Sequence, residues 1–555
     1  RGSREELAID LAIKAGQRSA ELYADRKAVE YFVRAYSRLK GTTDERQQEI
    51  ALKLGQLFER VGELERASVW YDAALHTHTE WGMDSIQALL GLGNVAFARG
   101  LHEQAEQLVD KVLIILNEAK EITSGFQVAA MRLKALASLK KGKTKQCKTL
   151  LLSALKLSEE NGASEYRGEL LLDLARAEFE ENQTLTSIRY ARRALQLSRK
   201  LGALSVVNDA QIEIARNLSG KGRFRTARRT LLAVLQSTRR TGDRWREAIT
   251  LRELGNLKFH LADFTGALKR FNRSLELMRL LRLQTEETIC LQNIGFTNIL
   301  LGDFRSGLGS LKAALEISTT IGDQIGTAAA YLQLGHAYLL LGDKEHARRV
   351  INNAMESAEF SEEMGLVGQA QVYLAFLELG RDEDESWQRL KRRDMEFLDS
   401  IRLPNQRAHF LSWVVRCAQI TKDQDYGATM WSLLNEEVKE GSLRYYGFVR
   451  DILEASGEGY KDTPIPTQTL LTVQEECSNR SLKLLELASA LELGRRHLGV
   501  DEGLEWLTYG LELMRSLTQQ LGPTEAAYLV QTSQAVEIKE LFEEKWGRVQ
   551  SFGDL

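Results

Sequence analysis

Apolar residues along this chain fall into paired helical stripes, and the pair recurs about every 40 residues. In the clearest copy, Leu254 and Leu257 flank Gly255-Asn256. After Asp263-Phe264 a second stripe runs through Ala267, Phe271 and Leu275. Spacings of three and four put such residues on one face of a helix. Each copy therefore predicts a helix A, a tight turn, a helix B and a looser turn. The tight turn falls at Ala24, Gly62, Gly100, Gly142, Asn182, Gly222, Ala262, Gly302, Gly342 and Gly380, at intervals of 38 to 42 residues. A period of this length marks a stack of like units rather than a globular enzyme core.

Two further regularities support the stack. Helix B ends at Asn161-Gly162, Leu201-Gly202, Thr241-Gly242, Ile321-Gly322 and Met364-Gly365, where glycine suits a left-handed C-cap. Asp303 and Asp343 follow the tight turn and are placed to cap helix B. Small residues recur on helix A at Gly55, Gly93, Ala135, Ala175, Ala215, Gly255, Gly295 and Gly335. On helix B they recur at Ala67, Ala105, Ala227, Ala267 and Ala347. A glycine inside a helix costs about 1 kcal/mol against alanine, so its return at one register predicts a packing contact with no room for a side chain.

This pattern resembles the tetratricopeptide repeat. Leu254-Gly255-Asn256 stands at the family's Leu-Gly-Asn, Phe264 at the aromatic after the turn and Ala267 at its alanine, continued by Phe271, Ser274 and Leu275. The proline that usually ends each unit is missing, and the units exceed the common length of about 34 residues. Longer helices with Gly-Asp turns are similar to a variant of bacterial signalling proteins. The resemblance, over residues 15–380, implies an all-α, right-handed superhelical solenoid of helix-turn-helix units. Separately, Leu11-Ala12-Ile13-Lys14-Ala15-Gly16, Ala20, Leu22-Tyr23-Ala24, Ala28-Val29 and Tyr31-Phe32 resemble the segment after the ATPase module of bacterial STAND or AAA-type signal-transduction ATPases. There the repeats form the regulatory part. That resemblance, with an opening Arg-Gly-Ser and no Met, implies a piece of a longer protein with a flanking ATPase or regulatory domain.

We divide the chain into about ten repeats over 1–380, degenerate helical repeats over 381–455, a linker at 456–467 and capping repeats over 468–555. The pattern predicts helices at Trp387–Leu403, ended by Pro404, and at Arg407–Ile420, Tyr426–Val438 and Leu443–Ala455. Three more follow at Thr469–Leu493, Glu502–Gln519 and Thr524–Trp546. With only four prolines, all beyond residue 400, little interrupts the helices.

Composition narrows the partners. Lys and Arg total 74 against 77 Asp and Glu, a net charge of −3, which gives no global pull toward nucleic acid or an anionic membrane. The basic runs Arg223-Phe224-Arg225 and Lys391-Arg392-Arg393 have no aromatic platform beside them. Cys147, Cys290, Cys417 and Cys477 are scattered, which suits a reducing cytosol and predicts a cytoplasmic protein. No apolar run reaches a spanning length of about 18 residues.

Candidate chemistry is thin. Gly142-Lys143-Thr144 looks like the end of a phosphate loop, but Ala137 stands where that loop needs glycine. Gly91-Leu92-Gly93 falls inside a predicted helix A, with no preceding strand. His76-Thr77-His78 lacks a third ligand. No residue takes a persuasive catalytic role, and no metal or cofactor is expected.

Binding is the remaining expectation. In a tetratricopeptide-like superhelix helix A lines the concave surface. The position after the small residue reads Gln56, Asn94, Leu136, Arg176, Arg216, Asn256, Phe296 and His336. Four residues earlier stand Arg132, Arg252 and Gln292 among apolar residues. Arg252, Asn256 and His260 share one helix face. We take Asn94, Arg176, Arg216, Arg252, Asn256, His260, Gln292 and His336 as candidate ligand contacts, with Arg176, Arg216, Arg252 and Asn256 as a basic ladder. Arginine forks suit carboxylates and phosphates. The expected partner is a protein or peptide, acidic where the ladder is free to bind it; in the other reading Glu169, Asp209 and Glu213 neutralise the ladder. Phe296, Ile299, Leu300, Leu332, Leu339 and Leu340 read as core. A small-molecule sensor and an enzyme within 381–555 are the alternatives.

Overall fold

The computed structural model describes residues 2–546 apart from 22–24, 40–43, 62, 77–81, 100, 119–123, 141–142, 162–165, 182, 362, 380–384, 402, 442 and 457–464. The expected turns at Ala24, Gly62, Gly100, Gly142, Asn182 and Gly380, along with Gly162, His78 and most of the 456–467 linker, lie outside the described residues. The described residues form 29 helices and no strand. They make an all-α solenoid of helical hairpins, of which Arg244–His260 with Phe264–Leu280 and Gln324–Leu341 with Lys344–Phe360 are typical.

The tight turns form as their residues dictate. Gly302 and Gly342 both sit at φ 82°, a left-handed conformation that costs other L-residues roughly 1 kcal/mol or more. The next residue caps helix B. An Asp303 oxygen accepts the Ser306 N–H at 3.1 Å, and an Asp343 oxygen accepts that of His346 at 3.1 Å. Ala262 holds the same left-handed place at φ 57°.

The small residues on helix A mark close contacts. Gly55, Gly255, Gly295 and Gly335 face the residue sixteen places on, in helix B of their own hairpin, whereas Gly93 faces Leu133 of the next helix A. A Cβ on Gly55 meets the Tyr71 ring at 2.7 Å, one on Gly255 meets Phe271 at 2.5 Å, and one on Gly295 meets Leu311 at 2.6 Å. Gly335 lies against Ile351 in the same way. The helix B alanines Ala67, Ala105, Ala227, Ala267 and Ala347 are all fully buried.

Beyond residue 380 three of the predicted helices are each divided in two. Trp387–Leu403 is not one helix: Glu385–Lys391 and Asp394–Ser400 are separate, broken where Arg393 leaves helical geometry at φ −130°. Pro404 does not end a helix but begins Pro404–Ile420, the first-turn position where its missing N–H costs nothing. Thr469–Leu493 divides into Thr467–Asn479 and Lys483–Arg496 at Ser481, which takes φ 56°. Pro523–Val530 and Ser533–Trp546 replace the last predicted helix.

The chain divides into two compact units. One comprises Arg1–Asn217, Arg225–Glu253 and Arg273–Glu287, the other Leu218–Phe224, Leu254–Asn272 and Thr288–Leu555. In the first, an exposed ion pair joins Glu65 to Arg282. In the second, helices late in sequence pack on the tight turns of earlier hairpins. Leu517 covers Gly302, the Tyr528 carbonyl covers Gly342, and Leu484 and Leu521 pack on the core of Ile299, Phe304 and Leu341. Arg480 donates toward the Leu261 and Ala262 carbonyls.

Candidate functional site

In the first unit the A-helix face carries a chain of ion pairs. Arg132 donates from Nε to Asp173 at 2.5 Å and from Nη1 to Glu169 at 2.5 Å. Arg176 Nη1 reaches the other Asp173 oxygen at 2.9 Å, and its Nη2 lies 4.0 Å from Asp209. Arg246 closes on Asp209 with both fork nitrogens, at 2.7 and 2.9 Å. Arg216 bridges Glu213 at 3.0 Å and Glu253 at 2.9 Å. Arg252, itself buried, pairs with Glu286.

These pairs revise the electrostatics of the expected ladder. Arg176, Arg216 and Arg252 do line up in successive helices, but acids from the same or the next helix A interleave with them. The row is charge-balanced rather than basic. Burial opposes ionisation of Asp209, yet Arg246, Arg176 and Arg132 outweigh it and hold the carboxyl below its ordinary range. Burial lifts Glu213 above its ordinary range against the pull of Arg216. The side chains of Arg132, Arg176 and Arg216 remain 25 to 34% exposed, although each guanidinium is held by at least one carboxylate. Asn94 stands exposed on Met83–Ala98.

In the second unit the same register turns from charged to aromatic. Asn256 accepts a long contact from the Asn293 amide at 3.5 Å, and His260 stacks on Phe224 at 5.7 Å between centroids. Gln292 is buried and donates to the Gly326 carbonyl at 2.8 Å, tying one helix A to the next. Phe296 and His336 lie 5.6 Å apart, His336 and Tyr373 5.7 Å, Tyr373 and His409 6.1 Å, and His409 and Tyr446 6.0 Å. One ring from each of five successive A-type helices thus touches the next. Phe296 is half-buried, whereas the other four are buried.

The imidazoles in this row are neutral. Burial, reinforced by Arg416, drives His409 down to about 3. Burial, with His409 and Arg416 adding to it, also lowers His336 well below the ordinary range. Burial raises the Tyr373 phenol, so Tyr373 stays protonated, and its hydroxyl shares a hydrogen bond of 2.5 Å with His409 Nε2. The buried His336 Nδ1 has no hydrogen-bond partner among the described residues.

Arg416 rises beside these rings, its Cζ 5.1 Å from the Trp413 centroid. It is half-buried, and no ion pair reaches it among the described residues. Burial lowers its guanidinium from the ordinary range, and only the neighbouring Tyr445 and Cys417 oppose that. The sequence reading missed Tyr373, His409, Trp413 and Arg416. The signal was there, since His336, Tyr373, His409 and Tyr446 recur at 36 to 37 residues. That shortened interval hid the continued register.

Gly91 and Gly93 lie inside Met83–Ala98, and Gly142-Lys143-Thr144 follows the helix Ser124–Lys140 rather than a strand, so neither nucleotide-like motif has a phosphate loop's setting. Among the described residues no group of three or more His, Cys, Asp or Glu is placed to hold a metal, and no helix is long and apolar enough to cross a membrane. All four cysteines are buried free thiols.

The tetratricopeptide repeat family's model matches residues 287–359, a stretch that takes in about two consecutive hairpins. No curated protein matches the chain. Among solved structures it is similar to the apo quorum sensor NprR from B. thuringiensis, with 16% identity over 64% of this chain and 99% of that one and a TM-score of 0.44. It is also similar to a STAND protein with a tetratricopeptide repeat sensor from Pyrococcus horikoshii. That match has 14% identity over 63% of this chain and 55% of that one, at a TM-score of 0.41. A third is aspartyl phosphate phosphatase F from Bacillus subtilis, with 11% identity over 65% and 95% and a TM-score of 0.41.

Proposed function

We propose that this array of tetratricopeptide repeats is a recognition scaffold, without catalysis of its own, that takes a protein or peptide along its A-helix face. It serves as the regulatory arm of a larger cytosolic signalling protein. The observation that carries the reading is the row of half-exposed guanidiniums in the first unit. Each is anchored by at least one acid and its side chain stays partly exposed. Anchoring removes most of the ordering cost of a long side chain on binding. Charge balance favours a ligand that offers carbonyls and both signs of charge over a purely acidic one, which would have to displace Asp173, Glu213 and Glu253.

Asn94, Arg176 and Arg216 are the first contacts to test. Arg176→Ala with Arg216→Ala lowers affinity for a partner captured by the full chain at least tenfold in calorimetry, with helical content unchanged by circular dichroism. Unchanged affinity in the folded double variant removes this face as the binding site.

A further inference from the structure

Two consecutive B helices carry cations and no acid. Thr184–Lys200 holds Arg189, Arg192, Arg193, Arg199 and Lys200, and Phe224–Thr241 holds Arg225, Arg228, Arg229, Arg239 and Arg240. Neither helix contains Asp or Glu. Every one of these cationic residues is exposed, and all belong to the first unit. Their spacings of three, four, seven and eleven set them in one stripe along each helix. At about 1.5 Å per residue the stripes are about 17 and about 22 Å long. Arg229, Arg239 and Arg240 repeat Arg189, Arg199 and Lys200 at the 40-residue period, so the stripes stand in register. The patch has borders. One hairpin earlier the places of Arg199 and Lys200 hold Glu159 and Glu160, and one hairpin later Glu276 enters and pairs with Arg273. Among the described residues the stripes make a single ion pair, Arg239 with Glu247. Arg189 with Arg193, and Arg225 with Arg229, are like charges four residues apart, which destabilise a helix. A polyanion laid on the stripes removes that cost.

We propose that this exposed B-helix face docks on the phosphate backbone of double-stranded nucleic acid. The net charge of −3 averages the patch away, but binding is decided locally. All but one of the cations are arginine, whose planar fork matches phosphate oxygens in pairs. A duplex carries about one negative charge per 1.7 Å of its length, so each stripe faces about ten phosphates or more. A stable protein interface needs an apolar or aromatic centre inside its charged rim. Neither helix exposes an aromatic residue, and the large apolar side chains exposed, Leu185 and Leu232, are one to a helix. A single strand would need an aromatic platform for its bases. A duplex keeps its bases stacked inside and presents phosphate, which positions a protein without reading sequence. The face lies on B helices and does not depend on the guanidinium row of the A helices.

Duplex DNA and duplex RNA share this backbone, and one experiment separates them. A fluorescent duplex of about 20 base pairs and arbitrary sequence, in each form, is titrated with the full chain by anisotropy from about 50 to about 200 mM salt. At least one duplex binds, and log K falls with log salt at a slope of about −4 to −5, as about five engaged phosphates demand. Combining Arg192→Gln, Arg193→Gln, Arg228→Gln and Arg229→Gln weakens binding at least tenfold at the lowest salt and flattens the slope by about 2 or more. Helical content by circular dichroism is unchanged, and lysine at the same four positions keeps the slope. Binding by one duplex alone assigns DNA or RNA. Failure of both duplexes to bind at about 50 mM salt, or an unchanged slope in the folded glutamine variant, overturns the proposal. So does tighter binding of poly-glutamate than of either duplex, which assigns an acidic protein, or of phosphatidylserine vesicles, which assigns a membrane. Partner affinity in the Arg176 and Arg216 double variant is read separately, so either proposal can fail alone.

Discussion

Substituting Gly255 by alanine sets two known effects against each other. Alanine in a helix interior is favoured over glycine by about 1 kcal/mol. The new Cβ, however, would sit 2.5 Å from Phe271 Cε1 and 2.6 Å from Cδ1, more than 1 Å inside the carbon contact distance of roughly 3.5–4.0 Å. Phe271 is only 1% exposed, so its ring has nowhere to retreat. Overpacking of this kind costs about 1–3 kcal/mol. The net expectation for Gly255→Ala is a loss of about 1 kcal/mol, and up to about 2 kcal/mol if the ring is rigid. Gly309 is the control. It lies in Phe304–Ile321, is exposed, and a Cβ there meets nothing within 4 Å. Gly309→Ala therefore stabilises its helix by up to about 1 kcal/mol. A repeat array opens locally, so the measurement is native-state hydrogen exchange over Arg244–Leu280 and Phe304–Ile321. A change of about 1.4 kcal/mol appears as a tenfold change in exchange. Adding Phe271→Leu to Gly255→Ala restores part of the protection. If Gly255→Ala stabilises as Gly309→Ala does, the argument that these glycines are packing requirements is wrong.

Two other expectations concern charge. Asp173 is fully buried beneath Arg132 and Arg176. Because both arginines are partly solvated and keep other acids, Asp173→Ala costs about 2–3 kcal/mol, seen as faster exchange in Ser124–Lys140 and Arg167–Glu180; loss no greater than in Arg176→Ala counts against a shared buried anchor. Glu59 and His409 respond oppositely to pH. Burial raises Glu59, the acceptor of the Tyr71 hydroxyl at 2.5 Å, from 4.5 to about 7. Its contribution is present below pH 4.5 and is lost as pH rises toward about 7. His409 is lowered from 6.5 to about 3, so its contribution is present above pH 6.5 and is lost as pH falls toward about 3. Exchange measured against pH in Glu59→Gln and His409→Gln chains checks both signs, each variant flattening only its own unit's dependence.

Much of the scaffold was legible because it rests on local rules. Gly302-Asp303 and Gly342-Asp343 announce a left-handed residue and a cap, and Gly255 announces the ring sixteen residues ahead. The pairing of the guanidiniums was half legible: Glu169, Asp209 and Glu213 were visible as neutralising candidates, but Glu253 and Glu286 come from the following helices. The aromatic row was harder to see. Its members obey the register, yet two short helices, Glu385–Lys391 and Asp394–Ser400, stand where one long helix B is expected and shorten the interval. Arg416 was passed over because which arginines meet a carboxylate among the described residues is a fact about space that a sequence does not show. Gln292 shows the converse, a polar residue on the expected ligand face whose amide is spent on the Gly326 carbonyl.

The cover laid over Gly302 and Gly342 bears on how the second unit is made. A simple repeat stack can fold progressively as it leaves the ribosome, since each hairpin needs only its neighbour. Here Leu517 and Tyr528 seal turns laid down much earlier, and Arg480 meets the Ala262 carbonyl across 218 residues of chain. Loops this long close late. The turns at Gly302 and Gly342 thus wait uncovered until Leu517 and Tyr528 have been made. Quality control by a nascent-chain chaperone would have its longest opportunity there, and a chain stopped before Lys483 would leave the Phe304 and Leu341 core without its lid.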